Sequence, residues 1–116
     1  MAVHNDFGKK GESMACEYLK ARGYSILHRN WRYRKWEVDI IASKEGVLHI
    51  VEVKTRQDTV FGFPEAAVSR QKIIHMMTVA EVFMNKYRHW KRVQFDILSI
   101  VAGNNTDIFL IEDVSV

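Results

Sequence analysis

The sequence contains a single cysteine, Cys16, and a single proline, Pro64. One cysteine excludes an intramolecular disulfide and a cysteine-rich zinc site, and it fits a reducing cytoplasm. The five histidines show no ligand spacing, so zinc is not expected. The chain also lacks an apolar run of about 18 residues and an apolar N-terminal stretch, so we expect neither a membrane span nor a signal peptide.

The chain also lacks repeats, linkers and low-complexity tracts. Its 116 residues therefore predict one domain, 1–116, with a globular composition of 47% hydrophobic and 27% charged residues. The net charge is only +3, but cations and aromatic rings interleave in two basic-aromatic segments, 28–36 and 86–92. Such segments suit phosphate backbones and unstacked bases. Either segment alone is equally compatible with solvated Lys and Arg beside a Trp that anchors the core.

Apolar periodicity and turn residues predict two helices and five strands. The first helix is expected to be capped by Asn5 or Asp6 and ended by Gly23, and Ser69 is expected to cap the second. The predicted strands cover 24–33, 37–43, 47–54, 93–101 and 107–113, the second helix covers 70–87, and 57–68 is irregular. The order α-β-β-β-α-β-β predicts an α/β (α+β) fold with a mixed central sheet flanked by helices.

Asp39, Glu52 and Lys54 lie inside two apolar, β-branched strands, where unpaired charges are costly. A Mg²⁺ or Mn²⁺ ion held by both carboxylates and the Val53 carbonyl would resolve that cost, because such ions prefer oxygen ligands. Lys54 could hold the attacking water or offset charge on a phosphate. The alternative is a structural ion pair between Glu52 and Lys54 at a strand end.

The register of the central hairpin decides whether the carboxylates meet. We predict Asp39 opposite Glu52, with a four-residue loop from Lys44 to Val47. A shift by one residue would send the two carboxylates to opposite faces of the sheet and end the metal hypothesis.

Three further positions are candidates for chemistry. Glu12 borders the apolar stripe of the first helix, although an acid early in a helix is also favourable by itself. Gln71 and Lys72 lie in the first turn of the second helix, where a lysine opposes the helix dipole and could instead contact phosphate; the alternative is a solvated lysine. Asp96 is expected to be structural, with Arg56 or Arg92 as its partner.

The motifs resemble the YraN-like family of small, uncharacterised bacterial proteins. The resemblance covers almost the whole chain and rests on residues 8–12, Ala15, 18–19, 23–27, 29–32, 37–42, 51–56, 65–68, Lys72 and 95–96. That family is placed in the PD-(D/E)xK, or restriction-endonuclease-like, nuclease superfamily, near the archaeal-type Holliday-junction resolvases.

The resemblance implies a restriction-endonuclease-like core with Asp39, Glu52, Lys54 and the helical acid Glu12 as its site. It implies a metal-dependent endonuclease acting on DNA, including branched DNA, and a homodimer, since a junction has two strands to cut. Where relatives commonly carry Gly, this chain has Trp36, which could supply a stacking ring. We expect nucleic-acid contacts at Arg32, Arg34, Trp36, Arg56, Gln71 and Lys72. The alternatives are a nucleic-acid-binding module without robust catalysis and an interaction subunit with purely structural acids.

Overall fold

The computed structural model describes residues 2–56, 69–103 and 105–115, with side chains from Lys9 onward. The predicted order α-β-β-β-α-β-β is confirmed. The elements are α1 (Ala2–Ala21), β1 (Ser25–Tyr33), β2 (Trp36–Lys44), β3 (Val47–Arg56), α2 (Arg70–Lys86), β4 (Val93–Val101) and β5 (Asp107–Ile111). The expectation that 57–68 is irregular lies outside the described residues. Neither helix, over the residues described, is long and apolar enough to cross a membrane.

The five strands form one mixed sheet in the order β1-β2-β3-β4-β5. β3 and β4 are parallel, whereas every other neighbouring pair is antiparallel. This arrangement confirms the predicted mixed sheet. It leaves β1 and β5 as edge strands and places β3, which carries Glu52, in the centre.

The two helices pack on opposite faces of the sheet, because neighbouring strand residues point to opposite sides. The α1 face buries Ala15, Cys16, Leu19, Tyr24, Ile40, Ala42, Val51, Leu98 and Ile100. The α2 face buries Val38, Ile41, Leu48, Ile50, Met76, Val79, Ala80 and Phe83. The helical members recur at intervals of three or four residues, the spacing of one helix face. The candidate site residues on β2 and β3 are thus enclosed between two apolar layers.

The helix ends agree with the predicted capping residues at two positions and differ at one. Ser69 Oγ accepts a hydrogen bond from the Lys72 backbone N–H at 3.1 Å, so its predicted cap is confirmed. Gly23 ends α1 in the left-handed region, with φ 89°, as predicted. The cap at Asn5 or Asp6 is wrong, because α1 already begins at Ala2. No Gly or Pro interrupts the residues ahead of Asn5, so the helix continues upstream of the favoured cap residues.

Gly11 sets the distance between α1 and the end of β3. A Cβ atom at this buried position would collide with Thr55 Cγ2. A glycine therefore allows the helix backbone to approach the strand closely, as its position in the sequence suggested. This contact fixes the height of α1 on the sheet and thereby the position of the neighbouring Glu12.

The β2–β3 hairpin has the predicted register. The observed pairs run from Ile40↔Val51 to Lys44↔Val47 and therefore place Asp39 next to Glu52 at the following step. The predicted four-residue loop is wrong, since only Glu45 and Gly46 lie in the turn. Both have positive φ, 51° and 80°, as a type I′ turn requires.

Candidate metal and nucleic-acid site

The backbone pairing between β2 and β3 ends just before Asp39 and Glu52. Its last backbone pair is Ile40↔Val51. Beyond it, Asp39 Oδ2 accepts a hydrogen bond from the Val53 backbone N–H at 2.8 Å. The Asp39 side chain thus replaces the main-chain carbonyl that would normally accept the hydrogen bond from the Val53 N–H. The two strands separate at this point.

The alternation of faces reverses at the same place. Val38 packs in the α2 layer, whereas Ile40, two residues later, packs in the α1 layer. Across the sheet on β1, Asn30 adopts the left-handed region with φ 52°. A left-handed residue inside a strand rotates the chain and redirects the side chains that follow. Strict alternation would place Val38 and Ile40 on one face, so it fails at this point of β2.

Glu52 is 5% exposed and lies between two lysines. Lys54 Nζ is 3.5 Å from Glu52 Oε2, and Lys72 Nζ is 3.5 Å from Glu52 Oε1. Among the residues described, Glu52 Oε1 nevertheless has no hydrogen bond. A buried carboxylate oxygen without a hydrogen bond is costly, and it is a natural ligand position for a cation.

Lys72 also ties α2 to the start of β2. Its Nζ donates a hydrogen bond to the Glu37 carbonyl oxygen at 3.2 Å. Glu37 itself pairs with Arg32 across β1 and β2, at 2.9 Å. The first turn of α2 therefore reaches Glu52 and the start of β2.

The pKa of Asp39 is raised from 3.8 to about 7. Burial is the main cause, and the neighbouring Glu52 carboxylate adds to it by charge repulsion; the hydrogen bond from Val53 opposes both. Two carboxyl groups in contact therefore compete for a single negative charge. A bound cation would let both ionise.

Glu12 approaches the same region from α1. Its side chain is 20% exposed, and Arg29 lies 3.8 Å from its Oε1. Burial raises the pKa of Glu12, a hydrogen bond with Asn30 lowers it, and the charge of Asp39 raises it further. Glu12 thus borders the carboxylate site, and the charge of that site affects its pKa. Arg29 and Asn30 are its direct partners.

The donor set fits a hard cation that keeps some of its water. Within the described ranges, no group of three or more His, Cys, Asp or Glu side chains could hold a metal. Asp39 and Glu52 supply two carboxylates. The N–H and C=O of one strand residue point to the same side, so the Val53 carbonyl is directed towards β2, like its N–H. Two carboxylates and one carbonyl are the ligands that Mg²⁺ accepts alongside water and phosphate.

The residues predicted to contact nucleic acid lie in three places. Arg32, Arg34 and Trp36 belong to the β1–β2 hairpin, whose turn is formed by Arg34 and Lys35. Gln71 lies on α2 and contacts His75 at 3.0 Å. Arg56 ends β3, where its carbonyl accepts a hydrogen bond from the Ala102 N–H at 2.8 Å.

The first basic-aromatic segment runs along α2, and its start meets the second segment. His28 lies 6.3 Å from Tyr87, which belongs to the second segment, and Trp36 lies 5.5 Å from His75, both measured between ring centroids. Trp31 packs into the α2 layer, so this ring anchors the core. Within the first segment, Arg29 and Asn30 contact Glu12 at the margin of the carboxylate site, and Arg32 pairs with Glu37.

A second buried polar pair contradicts the partners expected for Asp96. The partner of Asp96 is His49, at 2.7 Å from Nδ1 to Oδ2, and not Arg56 or Arg92. Asp96 Oδ1 also accepts hydrogen bonds from Gln94 Nε2 and from the Asp113 backbone N–H. Parallel pairing of β3 with β4 brings His49 against Asp96. Sequence spacing gave no signal for this contact, because a long crossover separates the two strands.

Comparisons with known proteins identify relatives along almost the full length. A model of the "Uncharacterised protein family UPF0102" matches residues 11–100. A UPF0102 protein of Bacteroides thetaiotaomicron is 46% identical over 104 residues, covering 90% of this chain and 86% of the relative. A UPF0102 protein of Flavobacterium johnsoniae is 42% identical over 120 residues (99% and 95%), and one of Persephonella marina is 43% identical over 98 residues (84% of each). The match agrees with the resemblance that the motifs indicated.

Proposed function

The chain belongs to the uncharacterised protein family UPF0102, and from its carboxylate site we propose that it is a metal-dependent endonuclease that hydrolyses phosphodiester bonds of DNA, branched DNA included. One observation carries the proposal. The buried Glu52 carboxylate has an oxygen without a hydrogen bond, directly beside Asp39, whose pKa is raised to about 7. Buried acids with shifted pKa values in one cluster are typical of functional sites.

Asp39, Glu52 and the Val53 carbonyl are the groups that would hold Mg²⁺ or Mn²⁺. When bound, such an ion would neutralise charge on a scissile phosphate and favour ionisation of water. The protein's own contribution is the preorganisation of these ligands. The hydrogen bond from Val53 orients Asp39, and the two apolar layers exclude bulk water from Glu52.

Lys54 and Lys72 would act on the substrate. Their ammonium groups lie on two sides of Glu52, each at 3.5 Å. Lys54 is placed to hold the attacking water or to offset charge on the phosphate, and Lys72 to contact a neighbouring phosphate. Glu12 would orient groups at the margin of the site. Its carboxylate already interacts with Arg29 and Asn30, so we propose no direct contact with metal or substrate.

The surrounding surface supports an anionic partner. Arg32, Arg34 and Lys35 cluster at the end of the β1–β2 hairpin, where Arg32 pairs with Glu37, two residues before Asp39. A homodimer is part of the proposal, since cutting both strands of a junction needs two such sites.

A second candidate is a nucleic-acid-binding module without robust catalysis. It is favoured by the two lysines at Glu52, because they already supply opposite charge to both carboxylate oxygens. In a third hypothesis, an interaction subunit, this ion-pair network would be purely structural. Metal binding separates the first two candidates from the third.

The deciding experiment is cleavage of junction, flap, single-stranded and duplex DNA in Mg²⁺ or Mn²⁺. We expect the wild type to cut at least one form and Asp39→Asn to cut none. A folded wild type that binds DNA but cuts none of the forms in either metal would replace the nuclease by the binding module.

A further inference from the structure

A cavity of about 390 Å³ lies between the β1–β2 hairpin and α2, the helix that also carries Lys72. Tyr33 and Trp36 form its hairpin wall. Thr78, Glu81, Val82 and Asn85 line the helix side, and Arg34 lies at the turn of the hairpin. The cavity thus combines aromatic, polar and cationic groups, and neither Tyr33 nor the helix wall has a role in the function proposed above.

The two rings form a stacked aromatic pair at the end of the hairpin. Tyr33 and Trp36 are a cross-strand pair whose ring centroids lie 6.3 Å apart and whose planes are inclined by only 24°. His75 lies behind Trp36 with a centroid distance of 5.5 Å. Trp36 Nε1 is buried and has no acceptor within the described part of the chain, so no hydrogen bond there restrains the indole. A ring pair of this kind can stack on a planar ligand.

Two cations lie against these rings. The Arg34 guanidinium carbon is 5.4 Å from the centroid of Tyr33, and Lys35 Nζ is 5.8 Å from that of Trp36. Both residues are exposed in the hairpin turn. The planar ligand that suits adjacent rings and cations is a base attached to phosphate.

The opposite wall offers hydrogen bonds for a base edge. Glu81 can accept from an exocyclic amino group, and Asn85 can both donate and accept. A carboxylate would repel a phosphate, so this wall suits the base and the hairpin turn suits the backbone.

The position of the cavity relates it to the carboxylates. Lys72, which contacts Glu52, lies on the same helix as Thr78. At about 1.5 Å per residue of helix, Thr78, Glu81 and Asn85 lie about 9, 14 and 20 Å further along α2 than Lys72. A base in the cavity would therefore belong to a nucleotide a short distance along the strand from the scissile phosphate.

We propose that the Tyr33–Trp36 cavity binds an unstacked base of single-stranded DNA on the same strand as the cleavage position, so that the protein selects DNA with unpaired nucleotides at a branch. This rests on the proposed function for its position relative to cleavage, but binding itself requires no cleavage. The cavity would hold the displaced base while the lysines at Glu52 face the scissile phosphate.

The test measures binding in EDTA, so that catalysis plays no part. The probes are a fully paired duplex and a matched fork with a 2-aminopurine in its unpaired arm, whose fluorescence is quenched when the base stacks. We expect the wild type to quench the probe and to bind the fork more tightly than the duplex. Tyr33→Leu and Trp36→Leu should lose the quenching and weaken fork binding about fivefold or more, with duplex binding unchanged.

The controls separate stacking from folding. Tyr33→Phe and Trp36→Phe keep the rings and should retain quenching and fork preference. Phe109→Ala removes an exposed ring on β5, at the other edge of the sheet, and should change nothing. Circular dichroism verifies the fold of each variant.

The outcomes are distinct. If folded Leu variants keep the wild-type fork preference and quenching, the cavity is not the base site. Quenching by a matched RNA arm alone would also overturn the proposal. If the wild type cuts no DNA yet shows ring-dependent quenching, the cavity proposal stands while the nuclease proposal fails. If both Leu variants still cut DNA and keep the wild-type fork preference, the nuclease proposal stands while the cavity proposal fails.

Discussion

Asp39 Oδ2 accepts a hydrogen bond from the Val53 backbone N–H at 2.8 Å, at the point where β2 and β3 separate. This bond orients one carboxylate towards the other and keeps the Val53 carbonyl on the same side. A single side chain therefore both ends the ladder and organises the proposed metal site.

We expect Mn²⁺ or Mg²⁺ at millimolar concentration to raise the melting temperature of the wild type, because an ion that binds only the folded state stabilises it. Asp39→Asn and Glu52→Gln should abolish the increase. Glu17→Gln is the matched control, since Glu17 is an exposed carboxylate on α1 paired with Lys20. Differential scanning fluorimetry, repeated with DNA to complete the shell of a weakly bound ion, measures the effect. An unchanged melting temperature in both series would contradict a metal site.

Without metal, the wild type should lose stability as pH rises from about 5 to 8. The folded pKa of Asp39, about 7, lies above its ordinary value of 3.8, so the folded state binds more protons than the unfolded state across this range. The free energy of unfolding then falls with pH. Asp39→Asn should remove most of the slope and be more stable than wild type at pH 8, by on the order of 1 kcal/mol or more. Urea denaturation in EDTA checks this, and parallel pH curves for both proteins would refute it.

Lys54→Ala should lower single-turnover cleavage about 100-fold or more while DNA affinity stays within about twofold. The reason is that Lys54 would act on charge that develops in the transition state, whereas several other cations hold the backbone. Lys20→Ala, on the exposed side of α1, is the control. Glu12→Ala should cause a milder loss, about tenfold, as expected for an orienting group. An equal loss of affinity and cleavage in Lys54→Ala would assign Lys54 to binding alone.

Replacing both Arg32 and Arg34 by Ala should weaken binding of all DNA sequences about equally and reduce the slope of log affinity against log salt by about 1 to 2. Arg34→Ala should account for more of this loss, because Arg32 is already paired with Glu37 at 2.9 Å. Fluorescence anisotropy at several salt concentrations provides the measurement. Wild-type affinity that does not change with salt would argue against phosphate contacts.

His49→Leu should destabilise the protein by about 3 kcal/mol without changing cleavage per folded molecule. The substitution leaves the fully buried Asp96 carboxylate without its 2.7 Å partner, although the bonds from Gln94 and Asp113 remain. Chemical denaturation measures the loss, and the cleavage assay serves as control. Reduced cleavage in a well-folded variant would instead connect this pair with the site.

The hairpin register and the element order could be predicted from sequence because they depend on local signals. The Glu45-Gly46 turn and the apolar residues of β2 and β3 leave one register that buries both strands, and that register brings Asp39 to Glu52. The Ser69 cap and Gly23 likewise act on adjacent residues. The predicted β2–β3 loop was too long because it included Lys44 and Val47. These two residues instead form the last pair of the ladder, on either side of a two-residue turn.

Other features required contacts between distant segments. The sequence by itself determined which charged residues enter buried strands, and hence that Asp39, Glu52 and Asp96 need partners. Only the tertiary structure decided which partners they have: Val53 and the ammonium groups of Lys54 and Lys72 in one place, and His49 in the other. The reversal at Asp39 could not be predicted from alternation, which would place Val38 and Ile40 on one face, whereas they pack in different layers. Local periodicity predicts that a side chain is buried, whereas the group that meets it depends on strand order and helix packing across the whole chain.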